Sequence, residues 1–599
     1  MILKKIKMPM RSAIHKLAII FFTAGMIMPG FYNLANAQDG KPGLRAIGTP
    51  HDPAVQMSWN RYHDNADILD FCERMVEAHP DLVRLEVIGQ SYKGNDILAL
   101  TITDFKKGDP DDKPAFFIQA NIHPNELQGT EIAMYTAWYL AENHGTIPFI
   151  TNLLRDRTFY ILPTINPDGR DYFIYEPNNP NSPRSGLMPF DDDGDWEVDE
   201  DGFDDLNGDG HITMMRRKNP NGRWIEDPNN PLRMIRAPEG ERGEYELLGY
   251  EGIDRDGDGR VNEDRTGYYD PNRDWGWNWQ PDYVQRGALM YPFASPENRA
   301  VKDFVLSKPN IAGAQSYHNY GGMFLRGPGA EEDRGSYDRS DLRVYDLIGE
   351  KGEKIVPGYR YLTVYKDLYS VFGGDVDFFH GVRGVYSFVN ELMTSYLLFH
   401  DEEQIGRWEN KQFYEFDKYL LFGDGYVEWE PFDHPQFGPI EIGGPKKNYV
   451  RNHPGFLLEE DAHRNMAFTL YHAHQMPLLE VREPTAREIS RNLTEINLTI
   501  DNVRATPTHS SHDLKNRISP PNVITLSGAV VVSGFIMRNP DLGVGDEQVF
   551  EPEALRVSNI GGMGSVHLRW FVKGSPSAIE VSVNSQKGGQ STHFFEVNY

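Results

Sequence analysis

Histidine and carboxylate side chains a few residues apart can share a divalent metal ion. The chain offers such a pair, His123-x-x-Glu126, within "IQANIHPNELQGTEIAMYTAWYL" at residues 118–140. Spacing alone decides nothing: with 19 His and 88 Asp plus Glu among 599 residues, chance supplies about three His-x-x-Asp/Glu matches, and they occur at His123, His400 and His593. Context separates them. His123 ends the apolar run "AFFIQANI" ahead of a helix-like segment, and in layered α/β sheets ligand sites gather at the carboxyl ends of strands. His400 and His593 lack that setting. A catalytic zinc commonly takes three protein ligands, His₂Glu among them, and keeps a fourth position open. The third ligand should come from a distant strand end, and His318 in "NIAGAQSYHNYGGMFLRG" closes a strand-like run before a glycine-rich loop. Zinc lowers the pKa of a water it binds to about 7, and a carboxylate must take that proton and pass it to a leaving amine. Glu391, late in the apolar run of "GVRGVYSFVNELM", stands where burial would raise its pKa.

The elements that must position these residues follow an alternating pattern. "ADILDFCERMVEAHP" is helix-like, "LVRLEVIG" and "ILALTITD" are strand-like, "PAFFIQANI" is a buried strand, and "TFYILPTINPDG" is another beyond the Glu126–Leu140 helix. Apolar strands alternating with helices predict an α/β layered domain over 55–481. After 482, short alternating segments such as "INLTIDNV", "VHLRWFVKG" and "AIEVSVNS", broken by Gly, Pro, Ser and Asn, predict an all-β sandwich to 599.

In their order, His123-x-x-Glu126, "MRRKN", "DPNRDW", "SYHNY", "DLYSVFGGDVDF" and "YSFVNEL" resemble the zinc metallocarboxypeptidases of the carboxypeptidase A type over roughly residues 55–480. The resemblance implies a mixed-sheet α/β/α domain and the release of C-terminal residues from peptides. It implies His123, Glu126 and His318 as zinc ligands, Glu391 as general base and acid, and Arg217 as the donor to the oxyanion. Asn272 and Arg273 would clamp the substrate's terminal carboxylate. Tyr369 would close over it, Asn319 and Tyr320 would line neighbouring subsites, and Val376 would floor the side-chain pocket, favouring apolar or aromatic C-terminal residues. Asp375 and Asp377 flank that floor, and a carboxylate turned inward would reverse the preference. The chain departs from the family pattern with Asn125 in His-Pro-Asn-Glu and Arg216 where the family has Trp. Two other readings use the same residues: a same-fold zinc amidase or peptidase acting on cell-wall peptides, and a non-catalytic, calcium-dependent binding protein.

Residues 175–265 break the α/β rhythm with an acidic insertion. Asp191–Asp201 and Asp254–Asp264 share the pattern D-x-D-G-D-x-x-V-[DN]-E-D. Asp191, Asp193, Asp195; Asp205, Asn207, Asp209; and Asp254, Asp256, Asp258 repeat the alternate-residue spacing of calcium loops, although Trp196 replaces the turn glycine of the first and position 12 is not Glu. Calcium there would order the segment carrying Arg217. Residues 1–37 read as an export signal, with Lys4, Lys5, Lys7, Arg11 and Lys16 before "LAIIFFTAGMIM" and an Ala35-Asn36-Ala37 cleavage site. A secreted or periplasmic protein is expected. The short segment 38–54 leaves no room for an inhibitory pro-domain before residue 55. The net charge of −28 argues against nucleic acid as partner. The single cysteine, Cys72, excludes an internal disulfide and a Cys-Cys zinc site.

Overall fold

The computed structural model describes residues 46–191, 196–401 and 411–597. The export signal, Asp193 and Asp195 therefore lie outside the described residues. Strands β1 (Val83–Gln90), β2 (Asp96–Ile102), β3 (Ala115–Ala120) and β4 (Thr158–Leu162) are followed by β5 (Met214–Lys218), β6 (Trp224–Asp227), β7 (Asn230–Arg236) and β8 (Tyr245–Tyr250). Then come β9 (Ile311–Asn319), β10 (Met323–Arg326), β11 (Arg360–Thr363), β12 (Tyr386–Leu392), β13 (Tyr426–His434) and β14 (Gly438–Pro445).

The main sheet has the order β1-β2-β4-β3-β9-β12-β10-β11. Its centre, from β4 through β3 and β9 to β12, is parallel. The β1–β2, β2–β4 and β10–β12 pairs are antiparallel, so the sheet is mixed, as expected. Every residue of β3, β4 and β9 is buried, the pattern of strands covered on both faces. Helices Asn65–Ala78, Gln128–Glu142 and Gly455–Gln475 cover one face. Pro296–Ser307 and Asp375–Arg383 cover the other. The helix after Glu126 packs against β9 through Gly129, where an added Cβ would stand 3.0 Å from Tyr317 Cβ. That close approach sets the first two candidate ligands beside the strand that carries the third.

The acidic insertion is more than the loop its composition suggested. β5–β8 join β13 and β14, contributed from 426–445, in a second sheet of order β13-β14-β5-β8-β6-β7. These strands are short or half-exposed, which hides them in a chain so rich in Asp, Glu and Gly.

The C-terminal strands form two further sheets, whose facing side chains, among them Ile496, Ile524, Leu568, Trp570 and Val581, close one buried core. The strand Leu479–Val481, just ahead of residue 482, already pairs into this region. The sandwich is bolted to the α/β layer: Asp341 accepts from Ser511 N–H (2.8 Å) and His512 N–H (3.1 Å). The buried Lys587 ammonium meets Asp513 and the Arg383 carbonyl. Residues Asp52–Tyr599 are one compact unit. Among the described residues no helix is long and apolar enough to cross a membrane.

Candidate metal centre

β3 delivers the chain to Asn121, whose φ of 60° turns it sharply; Asn tolerates this left-handed region better than most residues. Its amide Nδ2 donates to the carbonyls of His123 (2.9 Å), Pro124 (3.2 Å) and Glu126 (3.1 Å), so one side chain shapes the whole His-Pro-Asn-Glu turn. Gly169 packs beneath that turn; an added Cβ there would lie 2.6 Å from Pro124 Cγ. The parallel register of β9 and β12 places Glu391 opposite His318.

His123, Glu126 and His318 converge, each nearly inaccessible to solvent. His123 Nδ1 lies 3.1 Å from Glu126 Oε1, His318 Nδ1 lies 3.2 Å from Glu126 Oε2, and the two Nδ1 atoms are 3.2 Å apart. Donors about 2.0–2.1 Å from a tetrahedral zinc are separated by about 3.3–3.4 Å, so the three residues fit that ion with little movement. The far ring nitrogens are held too. His123 Nε2 is 2.9 Å from Asp270 Oδ1. His318 Nε2 is 3.2 Å from Ser316 Oγ and 3.5 Å from Asp375 Oδ2. Such outer partners keep the proton on the far nitrogen and turn the Nδ1 lone pair toward the shared point.

The electrostatics agree. Burial pushes the Glu126 carboxyl up, but the two histidines and the Arg451 guanidinium override it and hold it well below the usual carboxylate range. Burial lowers His318, yet Asp375 and Glu126 raise it well above an ordinary histidine. A cation bound among these residues would displace the extra proton of the His318 ring, because histidine ligates as the neutral imidazole. Glu391 is raised, by burial first and then by the Glu126 carboxylate.

Two guanidiniums frame the cluster. Arg451 Nη2 is 2.8 Å from Glu126 Oε1. Arg184 Nη1 is 3.5 Å from the same oxygen, and its Nε donates to Asp270 Oδ2 at 2.9 Å. Arg217 is not among the residues brought together here: on β5 it pairs with Glu246 at 3.0 Å in the second sheet. Arg216, where the family has Trp, is buried between Tyr245 and Trp429 and bonded to Glu226 and Glu441.

The other expected residues surround the cluster. Asn272 N–H donates to Asp270 Oδ1 (2.8 Å), and its Oδ1 accepts from Asp375 N–H (2.8 Å). Arg273 Nη2 lies 3.7 Å from Asp270 Oδ2. Tyr369 is exposed. Asn319 and Tyr320 are joined by a cis peptide; Asn319 donates to the Arg451 carbonyl, and the Arg451 guanidinium lies over the Tyr320 ring. Val376 belongs to an apolar cluster with Met323, Leu325, Val364, Val371 and Val389. Asp375 accepts from Gln119, and Asp377 accepts from Gly329 N–H and the Tyr337 hydroxyl.

The sequence reading did not single out Asp270, Arg184 or Arg451. Asp270 opens the quoted "DPNRDW", where a carboxylate two residues before a clamp was a readable signal. Arg184 and Arg451 sit in segments without a motif, and only folding carries them to Glu126.

In the insertion, Asp191, Asp205 and Asp254 each accept from the backbone N–H five residues on, at Trp196 (3.1 Å), Gly210 (2.8 Å) and Gly259 (3.0 Å). Trp196 takes the same positive φ, 84°, as those glycines. Asp201 joins Asp254 and Asp256 as one cluster of carboxylates, and Asp256, Asp258 and Glu263 form another. Asn207 and Asp209 line the middle loop, with Asn207 Nδ2 3.4 Å from Asp209 Oδ2.

A mixed α/β sheet with a buried His₂Glu cluster at its strand ends and a glutamate one strand away defines a metal-dependent hydrolase. The family model described as zinc carboxypeptidase matches residues 68–414, and the chain belongs to that family, whose members carry zinc. A second model, a domain of unknown function, matches residues 478–596. Among curated proteins the chain is 30% identical to carboxypeptidase D of Mus musculus over 154 residues, which is 24% of this chain and 11% of that protein. It is 30% identical to a zinc carboxypeptidase of Saccharothrix mutabilis subsp. capreolus over 128 residues, 21% of this chain and 29% of that one. The matches thus span from about a tenth to under a third of these relatives. A crystal structure of thrombin activatable fibrinolysis inhibitor aligns with TM-score 0.40 and 16% identity, covering 69% of this chain and 74% of that one.

Proposed function

We propose that this chain is an extracytoplasmic metallocarboxypeptidase that hydrolyses the last peptide bond of peptides and proteins. The observation that carries the reading is the convergence of His123, Glu126 and His318 with Glu391 one strand away. These three residues would hold zinc, which when bound supplies Lewis acidity to the scissile carbonyl and to water. Glu391 takes the proton of the attacking water and delivers it to the departing amine. Its raised pKa suits both halves of that task. Arg184, rather than Arg217, would meet the oxyanion; its contacts with Glu126 and Asp270 support this reading. Arg273 and the Asn272 amide nitrogen receive the terminal carboxylate, and Tyr369, on an exposed segment, closes over it.

The apolar surroundings of Val376 support a preference for apolar or aromatic C-terminal residues. The two adjacent carboxylates are engaged elsewhere, Asp375 with Gln119 and Asp377 with Gly329 and Tyr337. Assay of a panel of N-blocked dipeptides tests the reading: release of the terminal residue by wild type, with near-total loss in Glu391→Gln, is expected. No release from any peptide by zinc-loaded protein would overturn it in favour of a modified or cell-wall substrate.

The carboxylate clusters around Asp254 and Asp256 support a second assignment, calcium in the insertion, because so many like charges repel unless cations neutralise them. Selective chelation of calcium with zinc retained should lower the thermal midpoint of the protein; an unchanged midpoint would refute it. The basic, apolar and Ala-x-Ala order of residues 1–37 supports export, and the mature protein should begin at Gln38 by mass spectrometry.

A further inference from the structure

The second sheet and the segment after residue 410 enclose a cavity of about 310 Å³. Its walls are mainly aromatic and aliphatic, with Arg233 among them: Met214, Trp224, Tyr250, Tyr426 and Trp429 come from the insertion and from β13, and Tyr320 comes from the loop after β9. Tyr320 follows the candidate ligand His318 by two residues. Val450, also in the wall, precedes Arg451, whose guanidinium touches both Glu126 and the Tyr320 ring. None of the cluster residues lines the cavity; the Arg451 side chain links its Tyr320 wall to Glu126. The expected carboxylate clamp reaches the centre through another ligand, since Asn272 and Arg273 lie against Asp270, which holds His123.

Asn272 and Arg273 lie against Asp270 and Tyr320 lies against Arg451, so a peptide clamped at the first pair with its last bond at the ligands would have Tyr320 on its upstream side. We propose, building on the carboxypeptidase reading, that this cavity is a subsite for an apolar or aromatic side chain one or two residues upstream of the scissile bond. Size agrees: an apolar cavity of about 150 Å³ holds benzene, so this one has room for a phenylalanine or tryptophan side chain. The chemistry agrees as well, because aromatic walls gain most from an aromatic occupant. Specificity then has two anchors, Val376 beneath the terminal residue and the aromatic cavity above an upstream one. The second is built almost wholly from segments outside the main α/β layer.

The test is binding of N-acetylated tetrapeptides ending in Phe to zinc-loaded Glu391→Gln, with Phe replacing Ala at each of the two positions before the scissile bond. At one of them Phe should bind about tenfold or more tighter than Ala, the gain for enclosing an aromatic side chain. That ratio should fall toward one both when Trp429→Ala is added and when Leu232→Phe fills the cavity, with zinc content and thermal midpoint recorded for each. Discrimination below about twofold at both positions, or a ratio that survives both changes in folded protein, overturns the subsite. Wild-type hydrolysis of the same peptides separates the two readings. Hydrolysis without upstream discrimination removes the subsite and keeps the carboxypeptidase. Discriminating binding without hydrolysis does the reverse. Failure of both peptide binding and hydrolysis removes both.

Discussion

Replacing Asp270 by Asn keeps the shape of the side chain and removes its charge, at a residue that joins His123, Arg184 and Asn272. Oδ1 meets His123 Nε2 at 2.9 Å and Asn272 N–H at 2.8 Å, while Oδ2 meets Arg184 Nε–H at 2.9 Å. All three are served by acceptors, and the carboxyl lies well below its usual pKa, with burial opposed by Arg184, Arg273 and His123. Asparagine has one acceptor and one donor. If its oxygen stays with His123, its NH₂ opposes Arg184 and displaces it. If it flips, the NH₂ faces His123 Nε2 and drives the imidazole proton to Nδ1, the atom turned toward the cluster. Loss of an outer partner of a metal-bound histidine lowers metal affinity about 10–100-fold, or about 1.4–2.7 kcal/mol. Equilibrium competition between the protein and a zinc chelator measures this directly, with a thermal midpoint to confirm folding and Glu391→Gln as a variant outside the ligand set. An Asp270→Asn affinity within about twofold of wild type would refute the claim that Asp270 orients His123.

Three further outcomes are expected. Arg184→Ala should lower kcat about 10²–10³-fold with zinc retained, whereas Arg217→Ala, which loses a half-exposed pair with Glu246, should leave kcat within about threefold; the opposite order would return the oxyanion role to Arg217. In the zinc-free protein the Glu391 carboxyl should titrate above the ordinary glutamate value of 4.5, because burial and the Glu126 carboxylate raise it; a carbon-13 NMR titration, assigned with Glu391→Gln, that places it at or below that value would contradict this. Asp461 is buried beneath Tyr359 and Asn465 and is pushed up to about 7, chiefly by burial. Its folded pKa is raised, so its contribution to stability is full below the unfolded value and is lost as pH rises toward 7. Urea midpoints of Asp461→Asn should therefore gain on wild type between pH 4 and pH 7, and a constant difference would contradict the assignment.

The legible parts of this protein were those written in local pattern. Buried parallel strands need apolar residues on both faces, so β3, β4 and β9 stood out in the chain, and His123 and His318 were found because each ends such a run. Glu391 was singled out the same way, and the register of two neighbouring parallel strands sets it beside His318. The insertion was read by its carboxylates, which repeat at alternate residues. Its β-strands went unseen because they are short, half-exposed and completed by β13 and β14 about two hundred residues later.

The charges around the candidate ligands were decided by tertiary structure. Arg217 carried the motif, but the strand that holds it turns its guanidinium to Glu246. Arg184 and Arg451, with no motif, come to Glu126 from 58 residues ahead and 325 residues ahead in the chain. A metal ligand's first requirement is a donor atom at a strand end, which a sequence shows by residue type and local spacing. The balance of charge around a buried carboxylate has no local pattern. It depends on distances of a few ångströms between segments that only the packed fold brings together.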